Sequence, residues 1–397
     1  MKNNNSTNRM FVYIFWGSLF FERSIWMIYL NSSGVSLLHI SILQAMLNCA
    51  MFLFEVPSGI IADKFGNKKA ITLGHTLIIV YLFTMLNPSN LYFLALGFVC
   101  YGIGLAMISG ADQTLIYNNL DKDQSTYYQR IIGKYNAIAI IALALSSFAG
   151  GFLQNISWKF VFIAGILGQL LALIVLFSVK ERKILSEEGT KATKSSIITE
   201  VKSFLKSKNS FKNLIITIAL LQGTLSVIYM FGQVLFVEVG FSVSTIAIIF
   251  TVLSLFSAVA STYSYYFVNK FSEKNLIFWS LIISLVSFLA MSIPNMFIIL
   301  SLFIIINVLF EIWDTTFNAV LHHSIPSNIR ASLVSLSNVI CSFVMVVLSL
   351  AFGALSEYFS MVNIIIITGV STLFVSLILF TIYSKQSENE KDHKTVA

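Results

Sequence analysis

The chain is a succession of long apolar runs separated by short polar breaks. The runs fall near residues 10–30, 39–62, 70–87, 91–117, 131–153 and 158–179. After one polar stretch they resume near 213–237, 243–267, 275–293, 296–321, 331–353 and 361–384. Each is close to the roughly 20 residues a helix needs to cross the hydrocarbon core of a bilayer. The runs are continuously apolar, whereas the strands of a membrane barrel would alternate apolar and polar residues. The pattern predicts an all-α integral membrane protein with twelve transmembrane helices.

Composition agrees. Only 11% of the 397 residues are charged and 57% are hydrophobic, against roughly 25% charged in a soluble domain. Such a chain cannot cover a water-facing surface. The first run holds Glu22-Arg23 and has no small-residue cleavage site, so it is read as an uncleaved first span. Cys49, Cys100 and Cys341 all lie inside apolar runs and are expected to be packing thiols.

Charge sets the orientation. Of the 25 Lys and Arg, 23 fall in the N-terminal segment, the central polar stretch, the tail and the loops of that same side. Lys159 alone lies opposite, and Arg23 lies inside a span. This asymmetry places both termini in the cytoplasm. The net charge of +7 therefore reports membrane topology and no nucleic-acid partner. The domains expected are 1–179 and 213–384, six spans each, with a cytoplasmic linker at 180–212 and a cytoplasmic tail at 385–397. Within the linker, Ile197–Leu205 reads equally as an amphipathic surface helix or a solvated segment.

The halves show a faint repeat. Gly59–Lys69 (GIIADKFGNKK) and Tyr265–Asn275 (YYFVNKFSEKN) each join the second and third spans of their half, and Lys64-Phe65 matches Lys270-Phe271. Asn269 answers Asp63.

The segment Gly59-Ile-Ile-Ala-Asp63-Lys-Phe-Gly66-Asn-Lys68-Lys69 resembles the signature of the major facilitator superfamily, Gly-x-x-x-Asp-Arg-x-Gly-Arg-Arg. Gly59 would allow close helix approach and Gly66 a tight turn. Lys68 and Lys69 would stay at the anionic inner surface, and Asp63 could pair with cations or cap a helix N-terminus. In the family this cluster latches the halves in one state of the cycle. Ser157-Trp-Lys-Phe-Val-Phe162 resembles the opening of the family's span six. Tyr101-Gly-Ile-Gly104-Leu-Ala106 resembles part of its span-four motif, whose arginine would fall at Phe98. Ser146-Ser-Phe-Ala-Gly150-Gly151 stands where antiporters of the family carry Gly-Pro-x-x-Gly-Gly, with serines in place of Gly-Pro. The resemblance implies two pseudo-symmetric six-helix bundles, a monomer, and a central cavity lined by spans 1, 2, 4, 5, 7, 8, 10 and 11.

Ionisable groups at membrane depth cost roughly 2.5–3.5 kcal/mol on insertion scales, so each suggests a function. They are Glu22 and Arg23 in span one, Glu55 in span two, Asp112 in span four, and Glu311 with Asp314 in span ten. Asn307, Glu311, Asp314 and Asn318 share one helical face, as do Gln44, Asn48 and Glu55, and Gln222, Tyr229 and Gln233. On span four, Gly102, Ala106 and Gly110 form a small-residue ridge, and Asp112 lies off it with Tyr101. A buried carboxyl can carry a proton across or pair with a cationic substrate, and competition between the two gives antiport. Asp112 ranks first, then Glu55, then the Glu311/Asp314 pair. Structural readings stand beside these. Glu22-Arg23 could be a fixed ion pair, Glu55 and Asp112 could join a gate with Lys68, Arg130 or Lys134, and the amide stripes could serve helix contact alone. His39, His75, His322 and His323 read as interfacial.

There is no metal-ligand spacing and no phosphate-binding loop, so no cofactor is expected and the chain is not read as an enzyme. The expected function is proton-coupled efflux of hydrophobic or cationic compounds across a bacterial plasma membrane. Its partners would be a small-molecule substrate, protons and the lipid bilayer. The rival is uptake of a small polar nutrient such as a sugar. A membrane enzyme or sensor would need a catalytic constellation or a soluble domain, and neither is present in the sequence.

Overall fold

The computed structural model describes residues 4–119, 128–181, 203, 206, 209–324 and 327–395. Among them all regular structure is helical. The helices are α1 (Asn4–Gly17), α2 (Trp26–Ser32), α3 (Leu37–Phe65), α4 (Asn67–Thr84), α5 (Leu91–Ile108), α6 (Ala111–Asn119) and α7 (Tyr128–Ile156). They continue with α8 (Trp158–Ser178), α9 (Asn209–Glu238), α10 (Val243–Lys270), α11 (Glu273–Ala290), α12 (Met296–Ser324), α13 (Ser327–Leu355) and α14 (Met361–Thr395). Ten stretches are long and apolar enough to cross a membrane, α5 with α6 forming one of them. The two remaining segments expected to cross do not reach that threshold: α1 with α2 is interrupted, and the Asn67-Lys68-Lys69 opening and His75 of α4 lower its apolarity. The helix set is thus compatible with the expected twelve spans.

Helix starts follow local chemistry. Ser36, Asn90, Ser157 and Ser272 each accept a hydrogen bond from a backbone N–H in the first turn of α3, α5, α8 and α11, satisfying donors that have no intrahelical partner. Pro57 lies inside α3 without ending it, as membrane helices permit.

The chain divides into two compact units, residues 1–186 with 241–255, and residues 187–240 with 256–397. In the first, α5 packs on α3 and α4, and α8 on α1 and α4. Tyr29 sits between Trp158 and Phe162, and Tyr81 meets Phe98 edge-on. In the second, α9 is the central helix, packing on α12, α13 and α14. Its aromatic core includes the pairs Phe231–Phe352 and Phe236–Phe303. The repeat read from sequence reappears as geometry. Lys64 lies over the Phe65 ring at 5.4 Å and Lys270 over Phe271 at 5.9 Å. The side chain of Asn269 and residues 197–202 lie outside the described residues.

Two spans expected to be continuous are broken. Span one unwinds between Gly17 and Trp26, and span four between Ile108 and Ala111. Gly110 makes the second break, with φ +79°, a conformation that costs glycine little. It therefore forms the turn and does not extend the small-residue ridge. Gly102 does lie in that ridge: any side chain there would strike the Leu47 carbonyl of α3.

Candidate functional site

Unwound backbone at membrane depth survives only where protein or trapped water satisfies its polar groups. The break in span one meets that demand from two neighbouring helices. The Phe20 N–H donates to Ser146 Oγ of α7 at 3.1 Å. One turn along α7, Gly150 leaves room for the Phe21 carbonyl, which a Cβ there would overlap. From α8, Gln169 Nε2 donates to the Gly17 carbonyl at 3.2 Å. Ser146 and Gly150, from the segment read as a variant antiporter motif, are thus a seat for the break, while Gly151 faces Ala247.

The break carries Glu22 and Arg23. Glu22 is 2% exposed, and its Oε2 meets no hydrogen-bond partner among the described residues. Tyr81 and Arg23 are its polar neighbours, and Gly165 of α8 lies alongside. Arg23 is exposed and is hydrogen-bonded with Tyr101. Tyr101 is itself buried, stacked on Tyr81 with centroids 4.3 Å apart, so its contribution is a wall behind Arg23.

The break in span four places Asp112 in the first turn of α6, where a helix N-terminus favours negative charge. Its Oδ1 accepts from the Gln113 N–H at 2.7 Å and its Oδ2 from Tyr135 of α7 at 2.8 Å. Tyr13 of α1 is close enough to feel its charge. The membrane-depth acids of spans one and four therefore both sit at helix interruptions.

Sequence reasoning missed His75. It is 1% exposed, not interfacial. Its Nε2 is 2.8 Å from the Tyr13 hydroxyl and its Nδ1 2.6 Å from Gln169 Oε1. The sequence signal was a histidine and a glutamine in spans three and six, outside the cavity lining that the resemblance implies. In the fold, α8 packs on both α1 and α4, and that packing encloses the imidazole. His39, by contrast, is exposed at the start of α3.

In the second unit the structure joins two stripes read separately. Gln222 Nε2 of α9 donates to Asp314 Oδ1 of α12. Glu311, one turn before, feels the Asp314 charge and is hydrogen-bonded by Ser257 of α10. Asn307 is buried and donates to the Phe303 carbonyl at 2.8 Å. Gln233 is buried and Tyr229 half-buried. The side chains of Asn318, His322 and His323 lie outside the described residues. On α3, Gln44 donates to Asn48 at 3.1 Å, while Glu55 is exposed.

The signature segment links α3 to α4. Gly66 has φ +101°, the tight turn expected. Gly59 is a correction: it is exposed, and a Cβ there would meet open space, so it mediates no close helix approach among the described residues. Asp63 and Lys69 are exposed. Lys68 is not free at a surface. Its Nζ donates to the Phe177 and Val179 carbonyls at 2.8 and 2.9 Å, capping the end of α8. In return Glu181 Oε1 accepts from the Lys68 N–H at 3.3 Å, at the start of α4.

Comparisons with known proteins converge on one family. The sequence profile of the Major Facilitator Superfamily matches residues 8–239 and again 214–396. The chain is 24% identical over 380 residues to the uncharacterised MFS-type transporter YxaM of Bacillus subtilis, covering 92% of both. It is 25% identical over 270 residues to the quinolone resistance protein NorA of Staphylococcus aureus, covering 68% of both. In structure it resembles a mutant of the nucleoside transporter NupG, with a TM-score of 0.75 at 15% identity over 96% of this chain and 98% of that one. It also resembles a D-xylose–proton symporter, with a TM-score of 0.68 at 15% identity over 93% and 97%. These structural likenesses establish the fold, and the profile match across nearly the whole length establishes more: the chain is a multi-pass membrane transporter and belongs to the Major Facilitator Superfamily.

Proposed function

We propose that the chain exports hydrophobic or cationic compounds in exchange for protons. The observation that carries this reading is Glu22, buried at a helix break with an oxygen that finds no donor among the described residues. Leaving an ionised oxygen unsatisfied there costs several kcal/mol. The protonated carboxyl avoids that cost, so its charge changes only when the break is opened to water or to a cation. A proton and a cationic substrate then compete for one group, and their alternation couples two opposed fluxes. Asp112, Glu55 and the Glu311/Asp314 pair are further candidates, with Asp314 held ready by Gln222. The similarity to NorA, a quinolone resistance protein, supports the export direction.

In the same reading both termini are cytoplasmic. The six-span bundles are 1–179 and 213–384, with a linker at 180–212 and a tail at 385–397, in a monomer of a bacterial plasma membrane. Aromatic residues suited to bulky cations include Tyr117, which is exposed and meets Tyr128 edge-on. A second reading, uptake of a small polar nutrient, draws on the amides Gln222, Gln233 and Asn307 of α9 and α12.

Ethidium efflux from pump-deficient bacteria tests the proposal, with and without an uncoupler, in wild type and in Glu22→Gln, Asp112→Asn and Asp314→Asn. Efflux that an uncoupler abolishes, and that Glu22→Gln removes, supports it. Uncoupler-insensitive efflux, or a Glu22→Gln variant equal to wild type, removes the proton mechanism.

A further inference from the structure

Three side chains and one carbonyl form a directed chain through the first unit. Gln169 donates through Nε2 to the Gly17 carbonyl, so its Oε1 is the atom facing His75 Nδ1 at 2.6 Å. An amide oxygen only accepts, hence Nδ1 carries the hydrogen. In the neutral imidazole Nε2 then accepts, and the Tyr13 hydroxyl, 2.8 Å away, donates to it. Every bond points the same way, from Tyr13 through His75 and Gln169 to the last carbonyl of α1. Tyr13, His75 and Gln169 are each no more than 1% exposed, so water cannot substitute for a missing member.

The position of that carbonyl matters. Gly17 is the last helical residue before the break, and Glu22 follows five residues later. A helix end leaves carbonyls without intrahelical donors. Gln169 satisfies this one from α8, a span with no substrate role in the reading above, and His75 of α4 holds Gln169 in the orientation that does so. The imidazole also lies against Gly17, with Cε1 3.1 Å from where a Cβ on that glycine would stand. A further titratable neighbour is Tyr135, near Tyr13 on the Asp112 side.

We propose that His75 is a positioning residue for the break in span one: through Gln169 it fixes the Gly17 carbonyl, and thereby the segment that presents Glu22 and Arg23. This rests on the reading of Glu22 as a transport group, but its test does not require transport. His75→Leu severs the chain. His75→Gln restores one donor and one acceptor at similar reach.

The test is backbone amide exchange of residues 18–25 in purified protein, read by mass spectrometry beside carbodiimide labelling of the Glu22 carboxyl. In His75→Leu, exchange in this segment rises about fivefold to tenfold, the effect of losing one buried hydrogen bond. Peptides of the second unit exchange as in wild type. Labelling of Glu22 falls, because a carboxyl reached by water ionises and no longer reacts. His75→Gln returns both readouts towards wild type. Gln169→Leu gives the same pattern and serves if His75→Leu does not reach the membrane. Unchanged exchange in both leucine variants overturns the proposal, as does a His75→Gln variant as perturbed as His75→Leu. A wild type that moves no ethidium, while the leucine variants still loosen the break, supports the positioning chain and removes the efflux reading.

Discussion

The Phe21 carbonyl lies in the space that a side chain on Gly150 would fill. That relationship explains why span one can break. The carbonyl leaves its helical partner because α7 offers a surface with no Cβ to exclude it, and Ser146 one turn earlier receives the neighbouring N–H. Gly150→Ala is therefore expected to push the break off α7, at a cost of about 1–3 kcal/mol for overpacking, and to lower transport. Gly133→Ala on the same helix meets nothing and should be neutral or stabilising by about 0.5–1 kcal/mol. Thermal unfolding in detergent distinguishes the two. Equal melting temperatures would refute the seat assigned to Gly150.

Asp112 and Tyr135 form a second testable pair, at 2.8 Å. Tyr135→Phe leaves one carboxylate oxygen without its donor, with an expected loss of about 1–3 kcal/mol. In Asp112→Asn the same phenylalanine substitution should cost less. A double-mutant cycle on unfolding measures the difference, and strictly additive effects would mean the contact contributes nothing.

Lys68 and Glu181 cap each other's helices. Lys68→Ala removes a cation from the C-terminal carbonyls of α8, where it contributes about 0.3–1 kcal/mol. Glu181→Gln weakens the contact at the start of α4 by a similar amount, since the amide oxygen still accepts. Both variants should melt a few degrees early, and high salt should narrow the gap to wild type. Salt-independent losses would argue for lost packing instead.

Asp314 accepts from Gln222 across α9 and α12. Should it receive cationic substrates, Asp314→Asn raises KM for ethidium about tenfold, equivalent to roughly 1.4 kcal/mol of binding. A neutral hydrophobic substrate keeps its KM. A fall in maximal rate at constant KM for both would assign Asp314 to the transport cycle and not to recognition.

Much of this architecture was legible in the sequence because lipid is a strict solvent. Long apolar runs must be helices there. The signature at Gly59–Lys69 and the opening at Ser157 fall at the helix junctions expected of them. The membrane-depth acids were equally visible, since a carboxyl such as Glu22 or Asp112 stands out in an apolar run. The two breaks were not visible. Gly17-Ser18 and Ser109-Gly110 resemble many small-residue pairs that remain helical, and only a partner such as Ser146 or Gln169 makes leaving the helix tolerable.

The amino-acid order alone determined which segments enter the bilayer, roughly how many there are and which family they form, because those follow from transfer free energy summed along the chain and from one local motif. It did not determine which carboxyl is buried without a donor, or that His75 would be locked inside. Hydrogen bonds between α1, α4, α7 and α8 join residues far apart in sequence, and their value depends on direction and distance that only the folded bundle supplies.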